Sequence, residues 1–391
     1  MAVTLVKAEG FEHGTWEGAG NAICTATGEG ANYTVVDAGG LGFGIDNHTG
    51  DYCLRHHVHG SAATDTATIN VEGQDASYIM VGSFYFLIHE YPSADQIIFT
   101  MNQTGNDFRI YLESTDHKLY PAWASSRGNG SAALSLDVWY LIDFRVDASA
   151  NPNTIDMQVD GNAITQITSA QAASYSSNVQ LNLLSTTQET FYDDMVYSFT
   201  SGDYPIGAHN IVGLLPTGEG THNTASPTEF EDKDGNDIDG SHFAYAGMNT
   251  VPPSTANFIQ QDTADGTASH YVEVTFADTA HNNILGVNPY VAYFSSGTNA
   301  NNGQERIYDS DGGYSTVHTG SHAGTSLTWA EEMKTAPAGG WTMAHVNALT
   351  GRFGYSTDID SIPYCAFIIL QVAYGTDTAT GFANMVMNII G

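Results

Sequence analysis

Alternation of apolar and polar residues with a period of two recurs along most of this chain, and it constrains the fold more than any other feature. Segments at 77–88, 107–114 and 138–147 are rich in β-branched and aromatic residues and are separated by turns of Gly, Asn, Asp and Ser. The dipeptide Asp160-Gly161 indicates a hairpin. The chain is therefore predicted to be mostly β and to begin with an antiparallel β-sandwich.

The strand pattern stops at residues 198–210, where turn formers and Pro205 replace it. This change predicts a domain boundary, with a β-sandwich at 1–202 and a second, β-rich domain at 203–391. Long loops of Gly, Asn, Thr and Ser separate the shorter strands of the second domain.

The second domain is also predicted to contain one or two short helices, at 326–336 and at 341–349. Its last clear strand, 365–374, is apolar throughout and is predicted to be central in its sheet.

The charge of the chain limits its partners. Its 391 residues include 43 Asp and Glu but 10 Lys and Arg, for a formal net charge of −33. Such a chain lacks the basic surface that nucleic acid or an anionic membrane requires, so neither is predicted as a partner. Acid excess with few lysines is typical of a halophilic protein, because molar salt screens the repulsion. A marine origin, or solubility alone, explains it equally well.

Two adjacent acids, Asp193 and Asp194, lie inside the apolar strand pattern of residues 191–198. Because neighbouring residues of a strand face opposite sides, the two carboxylates are predicted to be unable to act on one bond together. No nucleophile or phosphate-binding motif was found either. No catalytic residue is assigned, and the chain is predicted not to be an enzyme.

Residues 1–200 resemble a concanavalin A-like, or laminin-G-like, jelly roll in the order of their strands. In that family an early Gly-Phe-Glu segment and a late strand with Asp-Asp share a calcium ion, which implies a structural Ca²⁺ bound by Glu12, Asp193 and Asp194. The alternative is one exposed aspartate and one that accepts hydrogen bonds from backbone N–H groups.

The second half resembles, in segments such as 203–222, a domain that follows such jelly rolls in virion proteins of tailed viruses, where it forms head decorations, turrets or tail appendages. The resemblance implies a non-enzymatic virion surface protein, a homo-oligomer attached to other virion proteins. Residues 1–20 contain no apolar signal segment, so synthesis in the host cytoplasm is predicted. Subunit contacts are predicted at 210–216 and 384–391.

Aromatic residues of the jelly roll suggest a second role, the binding of host surface glycans. Trp123 lies between predicted strands and is, with Tyr111 and Tyr120, a candidate for stacking on sugar rings. A core position for Trp123 is equally compatible with the sequence. The alternative function is a secreted or cell-surface lectin, or a polysaccharide-active enzyme.

Overall fold

The computed structural model confirms the predicted fold class, a mostly β protein with antiparallel sheets and two short helices. The structure describes residues 3, 5–12, 24–27, 33–37, 48–58, 64–70, 78–101, 107–123, 126–149, 152–169, 178–184, 188–224, 229–239, 241–261, 270–296, 302–309, 313–321, 324–355 and 362–376.

Fifteen strands of the described chain lie before residue 200. They are β1 (Leu5–Glu9), β2 (Cys24–Thr27), β3 (Tyr33–Asp37), β4 (Tyr52–Val58), β5 (Thr64–Asn70), β6 (Ile79–Glu90), β7 (Gln96–Met101), β8 (Phe108–Leu112), β9 (Leu119–Trp123), β10 (Ser126–Arg127), β11 (Trp139–Asp147), β12 (Asn153–Val159), β13 (Asn162–Ser169), β14 (Asn178–Leu184) and β15 (Gln188–Ser198). An eight-stranded sheet has the order β13-β12-β11-β6-β15-β4-β3, with β1 beside β15. A seven-stranded sheet has the order β10-β9-β8-β7-β14-β5-β2.

Eleven further strands follow residue 208 in the described chain. They are β16 (His209–Leu214), β17 (Pro216–Glu219), β18 (Phe230–Asp232), β19 (Ile259–Gln261), β20 (Tyr271–Phe276), β21 (Ile284–Ser295), β22 (Asn302–Asp309), β23 (Gly313–Ser321), β24 (Thr328–Glu331), β25 (Thr350–Tyr355) and β26 (Pro363–Gly375). A six-stranded sheet has the order β18-β19-β26-β21-β24, with β16 beside β26, and a five-stranded sheet has the order β17-β20-β25-β22-β23.

Period-two alternation explains how the first two sheets stack. In β8 the residues Phe108, Ile110 and Leu112 are buried while those between them are half-buried. The same alternation runs along β12, and the buried rows of both sheets meet in one core. The predicted hairpin is confirmed, because Asp160 and Gly161 both adopt positive φ, +49° and +74°, between β12 and β13.

The helices are α1 (Ala244–Gly247) and α2 (Met343–Asn347). The second of these lies in the predicted segment 341–349. The predicted helix at 326–336 is wrong, since Thr328–Glu331 forms β24 and pairs with β21. Burial of Trp329 against the first-half core, together with this pairing, outweighs local helix propensity.

The two halves share a buried junction built around β1, which contacts β21 and β26. The hydroxyl of Tyr290 donates to Glu9 Oε2 at 2.7 Å, and the side-chain amide of Gln371 donates to Glu9 Oε1 at 3.2 Å. Lys7 forms an ion pair with Glu331. Lys7, Glu9 and Gln371 are all buried. Strand β1 therefore pairs with a strand of the first half and packs against strands of the second half.

The segment 210–216, predicted as a subunit contact, lies in β16 and the residues after it. Ile211 is fully buried and packs against Leu5, Val196 and Ala373 of the same chain. The segment is therefore in part an internal contact between the halves, and a subunit contact through its half-buried residues stays a prediction. The other predicted contact, 384–391, lies outside the described residues. In the described part of the chain, no helix is long and apolar enough to cross a membrane.

Candidate functional site

Two of the three predicted glycan-binding residues lie side by side on the outer surface of the seven-stranded sheet. Tyr111 of β8 and Tyr120 of β9 are direct cross-strand partners. Their strand neighbours Ile110 and Leu119 point into the core and are fully buried, so the tyrosines leave the sheet on its other side. Directly opposed side chains in antiparallel strands stand about 5 Å apart at Cβ. The two tyrosines are therefore immediate neighbours on this side of the sheet.

Trp123 does not belong to this surface. It is the last residue of β9, shares the inward parity of Leu119, and is 2% exposed within the core. The prediction that it lies in a loop between strands is wrong, and the sequence contained the signal, because Trp123 and Leu119 are four residues apart in one alternating strand. Its core position was the other alternative that the sequence left open.

Two arginines complete the surface, and the sequence analysis missed both. The guanidinium carbon of Arg127 lies 4.2 Å from the ring centroid of Tyr111. Arg109, two residues before Tyr111 and hence on the same face, donates to the Tyr111 hydroxyl at 3.3 Å. Tyr111, Tyr120, Arg109 and Arg127 are called the tyrosine face below.

Carboxylates hold the tyrosine face in place. Arg127 lies 2.9 Å from Asp95 and 3.7 Å from Glu113, and Arg109 lies 2.8 Å from Asp107. These groups are about one-third exposed or less, so each pair is screened by solvent and orients the arginines more than it stabilises the fold.

The hydroxyl of Tyr120 is held in the same way. It donates to Asp116 Oδ2 at 2.6 Å, and this hydrogen bond to a carboxylate, with partial burial, raises the pKa of Tyr120 to about 12. Gly130 packs on its ring, where a Cβ would lie 2.6 Å from Cζ. The ring of Tyr120 is thus fixed before any ligand arrives, and its phenol stays protonated at neutral pH.

A second cluster consists of the acids Glu12, Asp193 and Asp194, and is called the acid cluster. Asp194 has a φ of +49°, and the register of β15 against β6 shifts between Asp193 and Val196. A bulge of this kind interrupts the alternation of side chains. Both aspartates contact His48, Asp193 through the backbone N–H at 3.1 Å and Asp194 through Nδ1 at 2.7 Å. The prediction that they face opposite sides is therefore wrong.

Hydrogen-bond donors surround both aspartates. Asp193 Oδ1 accepts the N–H of Asp194 at 2.8 Å, while Asp194 accepts the Thr49 hydroxyl and the N–H of Ile211, each at 2.7 Å. Backbone N–H groups thus bind both carboxylates. The alternative to calcium binding predicted such hydrogen bonds for one aspartate. Neither aspartate is exposed, which differs from that alternative.

Glu12 completes the acid cluster. Its Oε2 accepts the N–H of Asp51 at 3.0 Å, whereas its buried Oε1 has no hydrogen-bond partner. Burial, and then the nearby charge of Asp194, raise the pKa of the Glu12 carboxyl. Burial and the charges of Asp194 and Glu12 likewise raise the pKa of Asp193.

The second half of the chain covers the acid cluster. His209 Nε2 lies 2.6 Å from the carbonyl oxygen of Asp194, and β16 supplies the Ile211 N–H described above. Among the described residues, no group of three or more His, Cys, Asp or Glu side chains is arranged to hold a metal ion. Because its three acids are buried, the acid cluster is closed to a saccharide. Calcium binding by these acids remains a prediction.

Comparison with known proteins matched no family model and no curated protein. Solved structures that are similar include the cellulose-induced protein Cip1, at 12% identity over 50% of this chain and 97% of that one, with a TM-score of 0.39. A carbohydrate esterase from the Shiga toxin-encoding bacteriophage phi24B matches at 14% identity over 50% of this chain and 98% of that one, with a TM-score of 0.36. Domain 4 of AbnA, an extracellular arabinanase of Geobacillus stearothermophilus, matches at 13% identity over 50% of this chain and 93% of that one, with a TM-score of 0.36.

These similar structures are β-rich carbohydrate-binding or sugar-active proteins, whereas the predicted resemblance to virion proteins found no support among them. They are mainly carbohydrate-active enzymes, an alginate lyase and a sialidase among them. The prediction that the chain is not an enzyme is therefore wrong. Its structural premise fails as well, since the bulge places Asp193 and Asp194 against one histidine.

Proposed function

We propose that this chain is a carbohydrate-binding protein whose binding site is the tyrosine face. The observation that carries the proposal is the direct cross-strand pairing of Tyr111 and Tyr120 on the outer side of the seven-stranded sheet. Aromatic rings offer apolar surface for the C–H faces of sugars, and they lose little conformational entropy when a ligand binds.

The charges around the rings favour a neutral saccharide. Arg109 is paired with Asp107, Arg127 with Asp95 and Glu113, and Lys118 with Asp116. Four carboxylates against three cations leave no positive field to attract an anion. Planar carboxylate and guanidinium groups beside the rings can instead exchange hydrogen bonds with sugar hydroxyls.

The matching experiment is calorimetry with a panel of neutral oligosaccharides, including cellohexaose and arabinotriose, on the wild type and on Tyr111→Ala and Tyr120→Ala. Each substitution should weaken binding about tenfold, equivalent to about 1.4 kcal/mol. Tyr78→Ala is the matched control, since Tyr78 is 42% exposed and lies outside the tyrosine face. Unchanged affinity in both variants, or no ligand in the panel, would contradict the proposal. Product analysis in the same samples measures turnover.

We also propose, from the sequence resemblance, that the site belongs to a homo-oligomer on the surface of a virion, where it would take a host glycan. What supports this is the strand order of residues 1–200 and the likeness of the second half to virion domains, not the comparisons above. Labelling of purified particles with an antibody against this chain tests it. Particles without label, or a chain that light scattering finds monomeric at every concentration, would contradict it.

For the acid cluster we propose the bound calcium ion that the resemblance implies. Its support is the burial of three carboxyl groups together and the Oε1 of Glu12, an oxygen without a hydrogen-bond partner. Buried carboxylates require either protons or a cation. A calcium ion bound only by the folded state would raise the midpoint of thermal unfolding, and chelator at fixed ionic strength would lower it.

The control for the calcium test is Asp193→Asn. This variant should melt below the wild type in calcium and should not respond to chelator. Equal midpoints for the wild type with calcium and with chelator would mean that the carboxylates are held by hydrogen bonds and protons alone.

A further inference from the structure

The buried junction between the two halves holds an amine and a carboxyl group in direct contact. Lys7 of β1 forms its ion pair with Oε1 of Glu331 in β24, and the two side chains are only 3% and 11% exposed. The two residues are 324 positions apart in the sequence. A buried ion pair adds little net stability, because removing both charges from water costs about as much as their attraction gains. Stability alone therefore does not account for the pair.

Three further buried side chains surround this contact. Asn288 Nδ2 donates to Glu331 Oε2 at 2.8 Å. The hydroxyl of Tyr290 donates to Glu9 Oε2 at 2.7 Å and also forms a hydrogen bond with Glu331. Lys7 and Glu9 are two residues apart in β1, so both point to the same side of the strand. Because Lys7, Glu9, Asn288 and Tyr290 are all almost fully buried, water has little access to the pair.

We propose that Lys7 and Glu331 condense to form an isopeptide bond, which joins β1 of the first half covalently to β24 of the second half. Amines and carboxylic acids condense slowly in water. Two groups held in contact within a buried site instead react at an effective concentration of about 10⁵ M or more, and the exclusion of water disfavours hydrolysis of the product. The inference goes beyond saccharide binding and rests neither on it nor on a calcium ion.

The reaction releases one water molecule and needs no other reactant. One proton passes from Lys7 Nζ to the Glu331 carboxylate, which gives a neutral amine and a neutral carboxylic acid, the forms that a buried site favours. The lone pair of Nζ then attacks Cδ of Glu331 and forms the C–N bond. A second proton passes from the nitrogen to the hydroxyl oxygen on Cδ, the C–O bond breaks, and water leaves.

The neighbouring groups suit this reaction. The Asn288 N–H donates to Oε2, an oxygen on which negative charge develops when Nζ adds to Cδ. The Tyr290 hydroxyl lies between Glu9 and Glu331 and can exchange a proton with either carboxyl group. Burial, and then the charges of Glu331 and Glu9, raise the pKa of Tyr290, so its phenol stays protonated and able to donate.

The test is mass spectrometry of the intact chain, folded, purified and then denatured. The wild type should be lighter than its sequence mass by one water. Tryptic digestion should then yield a peptide from residues 1–55 joined to the peptide 307–334, because trypsin does not cleave after a lysine whose amine is acylated. Fragmentation of this product should place the bond between Lys7 and Glu331, and not on Glu332.

Three variants make the test specific. Lys7→Arg keeps the positive charge but not the nucleophilic amine, so it should keep its full mass and have the circular dichroism of the wild type. Glu331→Gln should keep its full mass or be lighter by one ammonia, since an amide releases ammonia and not water. Lys334→Arg is the matched control, because Lys334 is also buried, 4.0 Å from Asp309, and this variant should lose one water as the wild type does.

Full mass in the folded wild type would overturn the inference and leave Lys7 and Glu331 as an ion pair. Loss of water in Lys7→Arg or in Glu331→Gln would overturn the assignment to these two residues, and so would full mass in Lys334→Arg. Saccharide binding is measured separately, so its failure would count against the tyrosine face and leave this inference standing.

Discussion

The tyrosine face and one side of the five-stranded sheet use the same two residue types, but they pair them differently. The residues on the five-stranded sheet are called the arginine face: Tyr271, Glu273, Arg306, Tyr308 and Arg352. On the seven-stranded sheet the direct cross-strand partners are two tyrosines, Tyr111 and Tyr120, and the arginines lie beside them. On the five-stranded sheet the direct partners are two arginines, Arg306 and Arg352, and the tyrosines lie beside them.

This difference in register decides how charge is distributed over each surface. Opposed tyrosines make an apolar platform, and each arginine next to it is neutralised by its own acid. Opposed arginines concentrate positive charge in a chain with a formal net charge of −33. Both surfaces contain tyrosine and arginine, so they differ in which residues are direct cross-strand neighbours and not in composition.

The largest expected difference between the faces is in stability. Arg352→Gln should lower the free energy of unfolding by about 3–5 kcal/mol, because it leaves Glu273 buried without its cation. Arg127→Gln should cost less than about 1 kcal/mol, since its ion pairs are exposed to solvent. Urea denaturation followed by tryptophan fluorescence measures both, and equal losses would mean that the two faces are held together in the same way.

Salt should affect binding at the tyrosine face little. Between about 0.05 and 0.5 M NaCl, affinity for a neutral oligosaccharide should change less than about twofold, because ions screen interactions between charges and the ligand carries none. Calorimetry across the salt series measures the slope, and a tenfold loss would contradict a neutral ligand.

Glycine substitutions should affect the two faces through different atoms. In Gly130→Ala the new Cβ would lie 2.6 Å from Tyr120 Cζ, so the ring must move and neutral binding should weaken about threefold to fivefold, near 0.8 kcal/mol. In Gly354→Ala the Cβ would lie 2.5 Å from the carbonyl oxygen of His270, so the backbone must move and about 1–3 kcal/mol of stability should be lost. Unchanged neutral binding in Gly130→Ala would show that the position of the ring is unimportant.

The smallest effect concerns a single hydroxyl. Tyr120→Phe removes the hydrogen bond to Asp116 but keeps the ring, so neutral binding should fall by about 0.5–1 kcal/mol, less than in Tyr120→Ala. A loss as large as that of Tyr120→Ala would mean that the hydroxyl, and not the ring, binds the ligand.

Local sequence was sufficient for the class of fold and for several elements. Alternation predicted the strands of both sandwiched sheets, Asp160-Gly161 predicted the hairpin, and the apolar segment 365–374 predicted β26, which lies between β19 and β21 in its sheet. Alternation alone would also have placed Trp123 inward beside Leu119. These features depend on residues close together in the chain, which is why they can be read from it.

The sequence by itself determined that the chain is a β protein with an acidic surface, and that Tyr111 shares a face with Arg109. Only the tertiary structure decided that Asp193 and Asp194 meet at a bulge, that Thr328–Glu331 becomes a strand, and that Arg306 stands opposite Arg352. A side chain's face follows from its local period, but its cross-strand neighbour follows from the register of distant segments. That register is set by how the whole core packs, and no single segment contains it.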